Sequence, residues 1–341
     1  MYKVIKTEAN NDKASTMETK ALLYLASQHQ SSDIIHAYSI DCFNDVSGLC
    51  ESYNIWDVQA KNEKNLRPRK IGEYLLTLFE NYTSSFSNKF KEYLFFMPTL
   101  NRMYIHKDLK EYGLNNFKIE YINKIKQGLS SKVSDSKKNK ISSFLDKVLF
   151  VEAVQDDGYY IEKLSQFNVS KKIKESYFQE VFKEIKHTQS SKKNSSIEGK
   201  ILSAPEDALM LDRHLTYHEL QTFILNRMVG FSFTDVSGIP SSLFNWLFTL
   251  KLANEDFDQS TYIRDVKSKI FRSYFDKSNE KYFWKLFEEI HLAIYEDEKA
   301  NIIEILNNIK PNTIDKCYFM DQDSTLYLIS IIKDGLSQHD N

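Results

Sequence analysis

The chain has 341 residues, of which 42% are hydrophobic and 13% aromatic, so it can bury the core of one large domain or two ordinary ones. This composition excludes a disordered chain and a small disulfide-bonded scaffold. The formal net charge of −2, from 45 basic and 47 acidic residues, argues against a protein that is basic throughout and coats nucleic acid.

The charge is unevenly distributed along the chain. Residues 254–341 carry 11 Lys and Arg against 17 Asp and Glu, a net charge of −6, which leaves +4 for the first 253 residues. Three cysteines are too few for a disulfide framework. No segment reads as a secretory signal or a membrane span. We therefore expect a cytoplasmic protein with no membrane contact, a mildly basic N-terminal part and an acidic tail.

The first predicted element is a helix. Ser15 and Glu18 have the spacing of a capping box, and apolar positions recur at helical spacing through residues 21–26. This pattern predicts an amphipathic helix that begins at Ser15.

Two strands are predicted next. Residues 37–43 are rich in strand formers, and residues 53–61 alternate so that Trp56, Val58 and Ala60 share one face. Turn residues around positions 47–48 separate the two segments. The sequence therefore predicts two neighbouring strands.

A helix over residues 69–90 follows, and the continuous apolar run 93–97 predicts a strand buried on both faces. A strand, a helix and a second buried strand form a βαβ unit, which implies parallel pairing of the strands. From about residue 206 the pattern is mainly helical. We expect an α/β core in residues 1–230, a mixed sheet flanked by helices, and a mainly α-helical region in residues 231–341.

The polar ends of the two predicted strands carry residues suited to metal chemistry. Asp45 ends the first strand, and Gln59 and Lys61 lie on the polar face of the second. Metal-dependent phosphodiester hydrolysis needs oxygen ligands for Mg²⁺ or Mn²⁺ and a cation near the scissile phosphate. Asp41 and Asp57 occupy the same two strands and could assist, although Asp57 is more typical of a solvated strand residue.

In this order of elements, the segments Ile40–Val46 and Trp56–Lys61 resemble the PD-(D/E)XK nuclease superfamily. More narrowly, they resemble the dsDNA-nuclease domain of CD-NTase-associated and related antiphage effectors, in which Gln replaces the acidic residue. Residues 212–220 are similar to a segment near the end of that domain. The resemblance covers roughly residues 14–225 and does not extend to the remainder of the chain.

The resemblance implies a restriction-endonuclease-like core and a role for each site residue. Asp45 would be the metal-binding carboxylate, Gln59 a metal or phosphate contact through its amide oxygen, and Lys61 the catalytic cation. Glu18 would be an additional acidic metal ligand. The structural alternative for Glu18 is the capping box, in which it bonds back to the Ser15 backbone N–H.

The activity implied is that of a Mg²⁺- or Mn²⁺-dependent deoxyribonuclease, an endonuclease effector of bacterial antiphage defence. Because Gln59 is neutral, we expect weaker metal binding than in sites with an acidic residue there. The competing hypothesis is a catalytically weak or inactive nuclease-fold subunit that binds a partner or nucleic acid. A partner could be an ATPase or a sensor, and the helical region could mediate oligomerisation.

A Lys-rich stretch is the candidate nucleic-acid contact, and a solvated helix face is its alternative. The polar segment 186–200 is predicted to be an exposed loop that could form a second contact. Lys outnumbers Arg 38 to 7, which favours contact with DNA phosphates without sequence preference. The candidate contact residues are Lys124, Lys126, Lys132, Lys137, Lys138 and Lys140.

His214 and His218 have the spacing of a pair on one helical face, but the His-Glu-x-x-His order of zinc peptidases is absent. We expect a surface pair.

Overall fold

The computed structural model describes residues 1–4, 12–165, 175–229, 238–250, 257–276 and 278–339. The strands within these residues are β1 (Tyr2–Lys3), β2 (Ile35–Ile40), β3 (Val46–Cys50), β4 (Ile55–Ala60), β5 (Phe90–Met97), β6 (Glu111–Tyr112), β7 (Val148–Glu152), β8 (Ile201–Leu202) and β9 (His214–Thr216).

The α-helices of the first half are α1 (Asp12–Ser27), α2 (Pro68–Tyr74), α3 (Leu76–Tyr82), α4 (Ile119–Ser130), α5 (Ile141–Leu145), α6 (Asp157–Ser165) and α7 (Glu175–Lys192). Those that follow are α8 (Tyr217–Val229), α9 (Ser241–Thr249), α10 (Gln259–Phe275), α11 (Glu280–Glu296), α12 (Ile302–Asn308), α13 (Pro311–Asp315) and α14 (Gln322–His339). The fold is therefore α/β with a helical C-terminal region.

Seven strands form one mixed sheet in the order β6-β7-β5-β4-β3-β2-β9. β2, β3 and β4 are antiparallel neighbours, whereas β4, β5 and β7 run parallel. The predicted parallel pairing of the strand over residues 55–60 with the buried strand after it is confirmed. Parallel strands have their carboxyl ends at one edge of the sheet, so the end of β4 faces the same edge as the ends of β5 and β7.

β3 stands where the sequence predicts a turn at positions 47–48. All five of its residues are buried and pair with β2, and Val46–Leu49 also pair with β4. A Cβ on Gly48 would lie 2.9 Å from Cγ2 of Ile35 on β2 and 3.4 Å from Cδ1 of Leu25 on α1. Glycine at this position therefore makes room for the Ile35 side chain rather than forming a turn.

The helix predicted over residues 69–90 is two helices. α2 ends at Tyr74 and α3 begins at Leu76, and α3 stops at Tyr82, well before β5. α2 packs on α4 with unusual closeness, since a Cβ on Gly72 would lie 2.0 Å from the carbonyl oxygen of Ile125. This packing fixes the position from which α3 begins.

The chain divides into two compact units, Met1–Leu164 with Phe182–Leu220, and Ser165–Val181 with Gln221–Asn341. The boundary expected at residue 230 falls outside the described residues. In the second unit, α14 packs against α9, α10, α11 and α12. Its buried core contains several aromatic residues, among them Tyr274, Phe283, Trp284 and Phe287.

Candidate active site

The loop between β2 and β3 presents two aspartates at one end of the sheet. Asp41 follows β2 with a left-handed backbone, φ 53°, a conformation that Asp adopts more readily than most residues. Its backbone N–H donates to the carbonyl oxygen of Asp45 at 3.2 Å, which closes the loop. Both side chains are buried, so the chain places two carboxylates away from bulk water.

Asp45 lies opposite Gln59 across the antiparallel pair of β3 and β4, because Val46 pairs with Val58 one position further. Oδ2 of Asp45 accepts a hydrogen bond from the Ala60 backbone N–H at 2.7 Å and another from Nε2 of Gln59. Both donors come from the end of β4. The structure therefore brings Asp45 and Gln59 together.

The orientation of the Gln59 amide is set by its two partners. A carboxylate only accepts hydrogen bonds, so the amide NH₂ group faces Asp45. The amide oxygen accepts from the Thr77 hydroxyl on α3 at 2.5 Å, and the same hydroxyl lies 3.2 Å from Oδ1 of Asn44. The amide oxygen that the resemblance assigns to metal or phosphate thus has a partner in the fold, and its contact with a metal stays a prediction.

Asp57 lies two positions before Gln59 on the same face of β4, and it is completely buried. The expectation of a solvated side chain is wrong because α3 covers this face. Oδ1 of Asp57 accepts from the Ser47 hydroxyl at 2.8 Å, and Oδ2 accepts from Nδ2 of Asn81 at 2.7 Å. Burial nevertheless raises the pKa of Asp57 to about 6.

Lys61 directly follows β4, and its backbone N–H donates to the carbonyl oxygen of Phe96 on β5 at 2.9 Å. The ammonium lies 5.5 Å from the centre of the Tyr74 ring, a cation–π distance. Burial raises the pKa of Asp45 to about 8, and the charge of Lys61 opposes this rise. The positive charge of Lys61 therefore acts on the Asp45 carboxylate, and its role as the catalytic cation stays a prediction.

Glu18 lies on α1 and its side chain is buried. Because α1 already includes Asp12, Ser15 lies inside the helix and cannot be its N-cap. The capping-box alternative for Glu18 is therefore wrong. Oε2 of Glu18 instead accepts from Nζ of Lys193 at 2.5 Å.

Lys193 was not identified from the sequence. It follows α7 in the polar segment predicted to be an exposed loop, yet its side chain is only 7% exposed. Its ammonium also lies 3.3 Å from Oδ2 of Asp41. Lys193 lies within a run of Ser, Asn and Lys residues, and nothing in that local sequence distinguishes a buried lysine from a solvent-exposed one.

Arg213 completes the surroundings of the acidic residues. Its side chain is 2% exposed, and Nη1 lies 3.9 Å from Oδ2 of Asp41. Arg213 immediately precedes β9, which pairs with β2 so that Ser39 faces His214. The segment 212–220, singled out by the resemblance, therefore contributes a cation to the site.

The three carboxylates share one electrostatic environment. Burial raises the pKa of Glu18, Lys193 opposes the rise, and Asp41 adds to it. The charges of Glu18 and Asp41 also raise the pKa of Asp45. Three carboxylates and the cations Lys61, Lys193 and Arg213 thus converge at this end of the sheet.

Lys124 and Lys126 lie on α4, Lys132 lies in the turn that follows it, and the other three candidate nucleic-acid residues lie on the short 3₁₀ segment Asp135–Lys140. Lys126 is half-buried and the other five are exposed. Lys138 pairs with Asp135 at 2.6 Å, and Lys137 donates to the Thr83 hydroxyl at 3.1 Å. A shallow depression of about 450 Å³ lies between Lys126 and Lys138 and is lined by the hydroxyls of Ser130 and Ser131.

His214 and His218 do not share a helical face. His214 lies in β9 and His218 in α8, so the local pairing expected from their spacing is wrong. A strand residue interrupts the pattern because the chain pairs with β2 before the helix begins.

The donor set suits a hard cation, since Mg²⁺ and Mn²⁺ prefer carboxylate oxygens. As the side chains stand, however, no group of three or more His, Cys, Asp and Glu residues in the described ranges is placed to hold a metal ion. Oε2 of Glu18 is engaged by Lys193, and Oδ2 of Asp45 by Gln59 and Ala60. The chemistry of the residues fits a divalent ion.

Searches of protein-family models, of curated proteins and of solved structures found no match to this chain. Of the helices in the described part of the chain, none combines the length and the apolar character needed to cross a membrane.

Proposed function

We propose that the N-terminal unit is a metal-dependent deoxyribonuclease of the PD-(D/E)XK type that acts as an endonuclease effector in bacterial antiphage defence. The observation that carries the proposal is the placement of Asp45 opposite Gln59, with Lys61 two residues after Gln59 and directly beyond the end of β4. This is the arrangement that the resemblance requires, and it forms at the carboxyl end of a strand within a mixed sheet.

In this proposal, Asp45 and Glu18 hold the divalent ion. Gln59 and the Ala60 N–H orient the Asp45 carboxylate. A divalent ion bound there would act as a Lewis acid on the scissile phosphate and activate water. Lys61 contacts the phosphate and stabilises the negative charge that develops on its oxygens.

In this proposal, the lysines of α4, of the turn after it and of the segment Asp135–Lys140 contact the phosphates of the DNA backbone. Lysine ammonium groups bind phosphates as point charges and read little sequence, which agrees with cleavage of DNA without sequence preference. The second, mainly helical unit binds a partner, such as an ATPase or a sensor, or mediates oligomerisation.

Cleavage of supercoiled plasmid in Mg²⁺ or Mn²⁺ tests the proposal. We expect wild type to nick the plasmid, and Asp45→Asn and Lys61→Met to lose about a hundredfold or more in rate. Lys64→Met is the matched control, because Lys64 is an exposed lysine of the same loop, and it should retain wild-type rates. Equal nicking by all four proteins would show that the activity does not come from this site.

The second candidate function is a nuclease-fold subunit that binds DNA or a partner without cutting. The observations in its favour are the engagement of Glu18 by Lys193 and the lack, within the described residues, of a group of three or more His, Cys, Asp and Glu side chains placed to hold a metal ion. Wild type that binds duplex DNA but cleaves neither plasmid nor linear DNA, alone or with a partner, would favour this function.

A further inference from the structure

Lys193 forms a buried ion pair with two carboxylates. Nζ lies 2.5 Å from Oε2 of Glu18 and 3.3 Å from Oδ2 of Asp41, and each of the three side chains is 7% exposed or less. Surface ion pairs are usually mobile and contribute little. A lysine buried between two carboxylates instead has a fixed place.

The main chain around Lys193 is fixed as well. Nη2 of Arg213 donates to the carbonyl oxygen of Lys193 at 2.6 Å and also to that of Ser195, while Nε donates to the Ser195 hydroxyl at 3.2 Å. Arg213 is itself buried. A buried guanidinium therefore holds the turn that carries Lys193 over the acidic residues.

The charge of Lys193 balances that of its partners. Burial alone would lower the pKa of Lys193, but the carboxylates of Glu18 and Asp41 raise it overall, so the ammonium is charged at neutral pH. Divalent ions bind carboxylate oxygens at about 2.0–2.6 Å. An ion that approached Oε2 of Glu18 from the side of Lys193 would overlap the ammonium, and on any side the two cations would repel each other.

We propose that Lys193 is a tethered cation that occupies the acidic site in the metal-free chain, so that a divalent ion binds Glu18 only after the ammonium has moved away. This inference rests on the proposed metal-dependent function and adds its regulation: the chain keeps its own metal affinity low. Activation then requires that Lys193 find another anion, and a DNA phosphate is an anion that the proposed substrate itself supplies.

Mn²⁺ binding to the full-length protein, measured by titration calorimetry without DNA, tests the inference. Lys193→Met keeps the length of the side chain and removes its charge. We expect this variant to bind Mn²⁺ about tenfold or more tightly than wild type. Lys192→Met is the matched control, because Lys192 pairs with the exposed Asp212 at 2.6 Å, and it should bind Mn²⁺ like wild type.

Adding Glu18→Gln to Lys193→Met identifies the oxygen that the ammonium protects, and we expect the gain in affinity to disappear. The inference is overturned if Lys193→Met binds Mn²⁺ no more tightly than Lys192→Met, or if the gain survives Glu18→Gln.

A measurement on wild type covers the case in which Lys193→Met does not fold. Acetylation of lysine amines, read by mass spectrometry, should increase at Lys193 when Mn²⁺ is added and stay constant at Lys192. Unchanged labelling of Lys193 at saturating Mn²⁺ would overturn the inference. Neither measurement uses cleavage, so a chain that fails to cut DNA can still pass them, and an active nuclease can still fail them.

Discussion

The Thr77 hydroxyl donates to the amide oxygen of Gln59 at 2.5 Å and so turns the amide NH₂ group toward Asp45. Thr77→Val keeps the shape of the side chain and removes the donor. Because the Gln59 oxygen then lacks a partner in a buried position, we expect a loss of about 1–3 kcal/mol in the free energy of unfolding. Denaturant unfolding measures this loss.

Thr83→Val is the control for Thr77→Val. The Thr83 hydroxyl donates to the carbonyl oxygens of Phe79 and Glu80 in the last turn of α3 and accepts from the exposed Lys137, and such local or exposed bonds contribute little. If both variants lose the same stability, the hydrogen bond to Gln59 has no special role.

The buried Asp57 carboxyl predicts a pH-dependent stability. Burial raises its pKa from 3.8 to about 6, so the folded state holds the proton more tightly than the unfolded state. This contribution is complete below about pH 4 and is lost as the pH rises through 6. Relative to Asp57→Asn, the free energy of unfolding of wild type should fall by roughly 3 kcal/mol across this range.

Denaturant unfolding of wild type and Asp57→Asn at a series of pH values measures the difference, because the other carboxyl groups contribute equally to both proteins. A difference that stays constant from pH 4 to 7 would contradict the assignment.

The contact of α2 with α4 predicts two glycines that cannot be replaced. A Cβ on Gly128 would lie 1.9 Å from the carbonyl oxygen of Arg69, and one on Gly72 would lie 2.0 Å from that of Ile125. Gly72→Ala and Gly128→Ala force the helices apart, and we expect each to cost about 3 kcal/mol in thermal or denaturant unfolding. Gly238→Ala, with no atom within 4 Å of the added Cβ, should change stability little.

The lysines of the first unit predict a salt dependence of DNA binding. Lys132 and Lys140 are exposed, and each phosphate contact contributes about one unit to the slope of log K against log salt. The double change of both residues to Gln should reduce the slope by about two. Duplex binding measured by fluorescence anisotropy in EDTA gives the slope without cleavage.

The matched control replaces Lys299 and Lys316, exposed lysines of the acidic helical region, by Gln. If both double variants reduced the slope equally, the effect would come from the total charge of the protein and not from the surface that carries Lys132 and Lys140.

The placement of Gln59 and Lys61 could be predicted because a strand has a period of two residues, and Asp45 could be predicted because it ends an apolar segment. The strand β3 could not, since Ser47 and Gly48 are common in turns, and their place in a strand is explained by the contact of Gly48 with Ile35 and the hydrogen bond of Ser47 to Asp57. Local propensity is overridden here by contacts with the neighbouring strands.

Lys193 and Arg213 were inaccessible to sequence analysis for a different reason. Glu18 and Lys193 are 175 positions apart, and neither a periodic pattern nor a spacing rule relates them. Their neighbours in the sequence are polar, which is typical of a solvated loop. Only the three-dimensional structure reveals that these two basic side chains are buried against carboxylates.

The span of the site from Glu18 to Arg213 has a consequence for synthesis of the protein. Arg213 holds the turn of Lys193, and β9 directly after it pairs with β2. A ribosome that has passed residue 61 but has not reached residue 193 therefore carries a nascent chain with Asp45, Gln59 and Lys61 already made, but with neither the final strand of the sheet nor the lysine that neutralises Glu18. Translational pausing before residue 193 would prolong the interval in which the Glu18 carboxylate lacks this partner.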